Sequence, residues 1–199
     1  PGIVSVHLSA KLSGTYSSAR TAADEYPGLV EVVDSRSTGM GLGFAALAAT
    51  GHRDLAAARD AAIAAAGRVS VLFYVDTLEH LRRGGRINAA SALLGTALSV
   101  KPILHVVDGE IVVRDRVRTT SRALAKLADI AVATATAPRV DLAVHHLGSP
   151  ERAAGLLDEL RERLGERVAG AYLSEVGAAV GAHVGPGLVC VIVHNRSTE

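Results

Sequence analysis

The chain has 199 residues, of which 49% are hydrophobic and only 3% are aromatic. That length allows one large domain or two small ones, with an interior built from Ala, Val, Leu and Ile. Lys and Arg (21) nearly balance Asp and Glu (20), and the net charge of +1 provides no global field for a nucleic acid or an anionic membrane. The single cysteine, Cys190, excludes an intrachain disulfide and fits a reducing cytoplasm.

The first part of the chain alternates short apolar runs with helical periodicity. Strands are predicted over Ile3 to Leu8 and Leu29 to Val33, and helices over Thr15 to Glu25, Gly39 to Thr50 and Leu55 to Ala66. This alternation predicts a parallel sheet that is covered by helices. No signal-peptide pattern opens the chain, so we expect a cytoplasmic protein.

From Arg68 onward strand patterns dominate. Six strands are predicted, in VSVLFYVDT, ILHVV, EIVVRDRVR, DLAVHHLG, VAGAYLSEV and GLVCVIVHN, which indicate a second domain with a mixed sheet and a buried Cys190. Asp108-Gly109 predicts a type I′ hairpin, which needs positive φ at both positions. The uncharged stretch from Val176 to His194 has about the length of a membrane span, but Gly185-Pro186-Gly187 predicts a helix, a turn and a strand instead.

A cluster of hydroxyls follows the first strand in KLSGTYSS. Ser13, Gly14 and Thr15 open a helix, where hydroxyls and free backbone N–H groups can bind one anion such as a carboxylate or phosphate. Ser13 or Thr15 can equally act as a simple helix cap. Nucleophilic catalysis by Ser13 with His7 is disfavoured, because the serine is not framed as G-x-S-x-G and no acid is placed to orient the histidine.

Two further side chains are candidates for an anion site. Arg86 follows a double glycine that is expected to end a helix, and it precedes an apolar segment, so it can lie inward as a counter-charge. His183 stands just before the Gly185-Pro186-Gly187 turn, which can aim its imidazole. The segments DSRSTGMGLG and GGRIN match neither a dinucleotide fingerprint nor a P-loop. His145 and His146 are adjacent on a strand and face opposite sides, which disfavours a shared metal.

A local basic stripe follows the hairpin. Arg114, Arg116 and Arg118 alternate along one strand face, and Arg122 comes soon after them. No aromatic residues are interleaved for stacking on bases, so we expect either a docking surface for a protein partner or a solvated face, not a nucleic-acid site.

Six segments in order resemble the DegV family of bacterial fatty-acid-binding proteins: HLSAKLSGTYSSA, VDSRSTGMGLG, YVDTLEHLRRGGRI, KPIL, VRT and AHVGPG. The resemblance covers nearly the whole chain. It implies a DegV-like fold of two α/β domains. These are a three-layer α/β/α domain with a parallel sheet over residues 1–68 and a two-layer domain with a mixed six-stranded sheet over residues 69–199.

The resemblance implies a lipid carrier and not an enzyme, with no cofactor and no metal. One long-chain fatty acid would lie in the cleft between the domains, and its carboxylate would be presented to a fatty-acid kinase. Ser13, Gly14, Thr15, Arg86 and His183 would form the head-group site. Many relatives carry a second serine at the position of Ala10. Relatives also have an amino-terminal stretch with a Thr-Ser-Gln-Pro segment that completes the site, so we expect this chain to be truncated.

Two other functions stay open at this stage. One is an enzyme related to dihydroxyacetone kinases, although no nucleotide motif or acidic magnesium cluster is present. The other is a regulatory module without a lipid ligand. For the carrier, each buried methylene contributes roughly 0.8 kcal/mol, so a tail of about fourteen contributes roughly 11 kcal/mol before binding costs. The tail would therefore dominate affinity, and the head-group residues would set orientation.

Overall fold

The computed structural model describes residues 2–87 and 100–197. They form two compact units. The first runs up to Val69 and also includes Asp108–Glu110, and the second comprises the other described residues from Ser70 onward. The apolar segment that follows Arg86 in the sequence is described only as far as Ile87, and the rest of it lies outside the described residues.

The first unit is built on a parallel strand pair. Its elements are β1 (Ile3–His7), α1 (Thr15–Ala23), β2 (Val30–Asp34), α2 (Met40–Ala49) and α3 (Leu55–Ala66). β1 and β2 pair in parallel, as predicted, and all three helices pack against the strands. Val33, Ala45 and Ala62 form the buried centre. These residues are small, so the helices approach the strands closely.

The second unit contains the six predicted strands. Its elements are β3 (Val69–Tyr74), α4 (Glu79–Arg83), β4 (Lys101–Val107), β5 (Glu110–Val117), α5 (Thr120–Thr134), β6 (Val140–His146), α6 (Pro150–Leu164), a 3-10 turn (Gly165–Arg167), β7 (Val168–Glu175), α7 (Ala178–Val184) and β8 (Val189–Asn195). The stretch from Val176 to His194 is therefore a helix, a turn and a strand, as predicted. No helix in the described ranges has the length and hydropathy to cross a bilayer.

The six strands form one mixed sheet in the order β5-β4-β3-β8-β6-β7. β6 pairs in parallel with β7 and antiparallel with β8, which confirms the mixed sheet. α5 and α6 contribute Leu127 and Leu160 to the core, where they meet Leu142 of β6. Cys190 is buried in β8, and burial raises the pKa of its thiol to about 12.

The hairpin between β4 and β5 has the predicted turn. Asp108 has φ 50° and Gly109 has φ 81°, so both central residues are left-handed. The turn residues belong to the first unit, where the buried Ser9 hydroxyl donates to the Gly109 carbonyl at 2.7 Å. Arg36 pairs with Asp108 at 3.0 Å. These bonds attach the turn to the loops that follow β1 and β2.

Candidate functional site

The predicted hydroxyl cluster lies between β1 and α1. Gly14 is the N-cap residue of α1, and no side chain makes a capping hydrogen bond there. Neither Ser13 nor Thr15 therefore occupies the N-cap position, although Ser13 directly precedes it. Instead, the Thr15 backbone N–H donates to Ser13 Oγ at 3.3 Å, which leaves the Ser13 hydroxyl hydrogen as a donor. Ser13 thus bonds the first N–H group of the helix and can still donate its own hydrogen.

Ser9 and Asp34 shape the loop that carries Ser13. The Ser9 carbonyl accepts from the backbone N–H groups of Leu12 and Ser13 at 2.9 and 3.1 Å. Asp34 Oδ1 accepts from the Ala10 N–H at 3.2 Å. Sequence reasoning assigned Ser9 and Asp34 no role, because isolated polar residues at a strand end resemble ordinary turn residues. They fix the backbone from which the Ser13 side chain projects.

Gly14 has open space at the position of a side chain. No heavy atom lies within 4 Å of the site where its Cβ would stand. Its φ of −74° is also accessible to any residue. Neither packing nor conformation within the described residues requires glycine here, which leaves room for a ligand to approach the backbone.

His7 is a hydrogen-bonded, half-buried strand residue. Its Nε2 lies 2.8 Å from Ser5 Oγ, and it stands opposite Asp34 in the parallel register. The hydrogen-bond partner of His7 Nε2 is therefore the hydroxyl of Ser5 and not that of Ser13. This geometry does not support a Ser13–His7 catalytic pair. These contacts are those of a structural strand residue.

In the second unit, Arg86 and His183 come together at Gly84. Gly84 is the C-cap of α4, and Gly85 has φ 68°, so the double glycine ends the helix as predicted. Arg86 is half-buried and donates from Nη1 to the Gly84 carbonyl. The His183 ring lies against the Gly84 Cα, since a Cβ at that position would stand 3.1 Å from His183 Cε1 and still closer to Nδ1. A cation and an imidazole thus meet at one backbone position.

The environment of His183 indicates which ring nitrogen can donate. Its Nδ1 is buried and has no hydrogen-bond partner among the described residues. A buried N–H group without an acceptor is rarer and more costly than a bare lone pair. When the ring is neutral, its proton is therefore expected on Nε2. Nε2 is then the ring nitrogen that donates a hydrogen bond.

A polar cluster around Asp76 was not predicted. Asp76 accepts from the Tyr74 hydroxyl and from Lys101 Nζ at 3.0 Å, and Arg152 lies 3.9 Å away. Burial alone would raise the pKa of Asp76, but the hydrogen bonds from Tyr74 and Lys101 outweigh it and lower that pKa. Asp76 and Arg152 also line a cavity of about 460 Å³ with His80. Asp76 and Lys101 fall in YVDT and KPIL, segments that carried the resemblance without an assigned role.

The predicted basic stripe is exposed along its whole length. Arg114, Arg116, Arg118 and Arg122 are all solvent-accessible. Arg82 and Arg83 form a separate solvated face, where both pair with Glu79.

The adjacent histidines of β6 have separate partners. His145 Nδ1 lies 2.8 Å from Ser174 Oγ, whereas His146 Nδ1 lies 3.8 Å from Glu175. Burial lowers the pKa of His145. Within the part of the chain that the structure describes, no three His, Cys, Asp or Glu side chains are grouped to hold a metal ion.

Comparisons with known proteins cover the whole chain. The family model described as "Uncharacterised protein, DegV family" matches residues 1–196. A DegV domain-containing protein of Streptomyces coelicolor is 51% identical over 199 residues, covering 98% of this chain and 70% of the relative. These matches carry the same family name as the resemblance found in the motifs.

Solved structures give the same picture. A DegV family protein from Thermus thermophilus, described by its fatty acid binding, has a TM-score of 0.91 and 34% identity, covering 98% of this chain and 71% of its own. DegV from Bacillus subtilis, described as a fatty acid binding protein, has a TM-score of 0.84 and 32% identity over the same shares, 98% and 71%. The fold that the resemblance implied is therefore confirmed.

Proposed function

The chain belongs to the DegV family, and on that basis we propose that it binds one long-chain fatty acid and presents the carboxylate to a fatty-acid kinase. In this role it is a carrier without catalytic residues. The observation that carries the proposal is the convergence of Arg86 and His183 at Gly84, which brings a cation and an imidazole donor to one place. The fatty-acid-binding descriptions of the Thermus and Bacillus relatives supply the ligand class.

The donors match a carboxylate better than a neutral head group. The Ser13 hydroxyl, further backbone N–H groups at the start of α1 and the Thr15 hydroxyl would contribute from the first unit. Arg86 and His183 would contribute from the second. Each hydrogen bond to a charged group contributes about 1.5 to 3 kcal/mol, which corresponds to roughly ten- to a hundredfold in affinity. Losing one donor should therefore weaken binding measurably without abolishing it, because the tail still contributes.

We predict that Ser13→Ala and His183→Ala each weaken binding of palmitate by about ten- to a hundredfold. Native mass spectrometry would measure occupancy after purification, and titration with palmitate would give the affinity. Ser17→Ala is the matched control, since Ser17 is an exposed hydroxyl on the same helix. Wild-type affinity in both test variants would contradict the head-group assignment.

A double-mutant cycle tests whether both units bind the same carboxylate. If Ser13 and His183 contact one carboxylate, the losses in the two single variants should be non-additive in the double variant. The fatty alcohol of equal length should show no such coupling, because it lacks the charge. Strictly additive losses with palmitate would indicate separate roles for the two side chains.

The exposed arginines of the basic stripe are proposed as the surface that a kinase approaches. We predict that the double substitution Arg114→Glu and Arg118→Glu slows ATP-dependent phosphorylation of the bound acid by roughly tenfold at low salt. A basic stripe would attract an acidic surface of the kinase, and the two new glutamates would repel it. Palmitate affinity should be unchanged. Arg53→Glu, at an exposed arginine of the first unit, is the control. Equal rates in all variants would assign the stripe to a solvated face.

A further inference from the structure

Two histidines and two glycines make reciprocal contacts between α4 and α7. The His183 ring from α7 lies on Gly84 at the end of α4, and the His80 ring from α4 lies on Gly185 at the end of α7. A Cβ at Gly185 would stand 2.9 Å from His80 Cγ, a distance that real Cβ atoms essentially never show. Each ring thus occupies the space that a side chain on the facing glycine would need.

Glycine is needed at position 84 because a side chain would collide with the His183 ring, and not because of the backbone conformation. The Gly84 φ of −72° and ψ of −10° are ordinary helical values that alanine adopts without strain. Gly185, by contrast, has φ 75°, where any side chain is strained. A substitution at Gly84 therefore adds volume that faces mainly the His183 ring, with the His80 carbonyl oxygen 3.2 Å from the Cβ position. A substitution at Gly185 would also strain the backbone.

The backbone at Gly84 has little freedom to move away. The Gly84 N–H donates to the His80 carbonyl at 2.9 Å, and the Arg86 N–H donates to the Leu81 carbonyl at 3.0 Å. Leu81 is fully buried and anchors the short helix. Because these bonds hold the backbone from His80 to Arg86, an added methyl group must displace the His183 ring instead.

We propose that Gly84 is a positioning residue for the head-group site, since its bare Cα sets the place of the His183 imidazole while its carbonyl holds Arg86. This inference rests on the proposed function for its consequence in lipid binding. The structural part of the inference, the contact of the His183 ring with Gly84, does not depend on a bound ligand. The two parts are separable by experiment.

The test compares Gly84→Ala with Gly155→Ala. Gly155 lies on α6, where no atom stands within 4 Å of the position that a Cβ would take, so alanine is accommodated there. Ring nitrogen and carbon chemical shifts of His183, measured by NMR on the full chain without lipid, should move in Gly84→Ala and stay unchanged in Gly155→Ala. Unchanged His183 shifts in a folded Gly84→Ala protein would overturn the proposal.

Lipid binding supplies the second readout. Gly84→Ala should weaken palmitate binding by about tenfold, and the same substitution in a His183→Ala background should change it less than about twofold. Equal weakening in both backgrounds would show that Gly84 acts on the fold and would overturn the positioning role. Shifted His183 signals with unchanged palmitate affinity in Gly84→Ala and His183→Ala would support the seating of the ring and overturn carboxylate binding by His183.

Discussion

Replacing Asp141 by Ala is expected to destabilise the protein by about 1 to 3 kcal/mol, the range observed when a buried hydrogen-bonding partner is removed. Asp141 is only 5% exposed. It accepts from Arg196 Nε at 2.8 Å, from Arg196 Nη2 at 2.6 Å and from His194 Nδ1 at 3.1 Å. Alanine would leave the buried His194 without this acceptor, whereas the exposed Arg196 guanidinium would turn to water. Urea denaturation at neutral pH measures the loss.

The same carboxylate gives stability a pH dependence. Burial works to raise the pKa of Asp141, but hydrogen bonds from Arg196 and His194 outweigh it and lower the pKa below its ordinary value. A pKa that is lower in the folded state gives stability that is present above the unfolded value, about 3.9, and is lost as the pH falls through the folded value. Asp141→Asn should therefore lose less stability between neutral pH and acid than the wild type.

An exposed carboxyl provides the control for Asp141. Asp158 lies on the solvent side of α6. Asp158→Asn should leave both the free energy of unfolding and its pH dependence within about 0.5 kcal/mol of the wild type. If Asp141→Asn and Asp158→Asn unfolded alike at neutral pH, the Asp141 cluster would not contribute to stability.

Gly187→Ala is the second substitution with a large expected effect, about 2 to 5 kcal/mol. Gly187 has φ 89°, and a Cβ there would stand 2.8 Å from Asp76 Cγ and 3.2 Å from Asp76 Cβ. Asp76 cannot swing aside freely, because Tyr74 and Lys101 both donate to it. The alanine thus meets backbone strain and a steric clash together. Thermal and urea unfolding would measure the cost.

Gly148 separates the two causes. It has φ 62°, but no atom lies within 4 Å of its Cβ position, so Gly148→Ala should cost only the backbone term of about 1 to 2 kcal/mol. In an Asp76→Ala background the cost of Gly187→Ala should fall toward that of Gly148→Ala. Equal costs at the two glycines in the wild-type background would show that the Asp76 contact carries no weight.

The sequence predictions were most accurate where neighbouring residues alone determine the structure. Leu55–Ala66 was predicted with both ends correct, because Asp54 caps its start by accepting from the Ala57 N–H and Gly67 ends it. α1 was predicted two residues too long. Asp24 is its C-cap, and the Glu25 and Tyr26 N–H groups bond three residues back, which tightens the chain out of the helix.

Contacts between distant parts of the chain could not be predicted from local sequence patterns. The strand order β3-β8-β6 depends on pairings between distant segments, which no local pattern encodes. Asp141 opens an apolar strand and gives no sign that Arg196 completes it. The residue patterns singled out Arg86 and His183 separately, and only the family resemblance placed them in one site. Their meeting at Gly84 depends on how α4 packs against α7.

The position of the hairpin turn has a consequence for biosynthesis. Ser9 is fully buried and donates to Gly109, so a residue near the start of the chain depends on one far along it. The first unit is therefore incomplete when Val69 has left the ribosome and gains its last residues only with Glu110. Until then Ser9 lacks its acceptor, so the nascent first unit must wait for part of the second sheet to be synthesised.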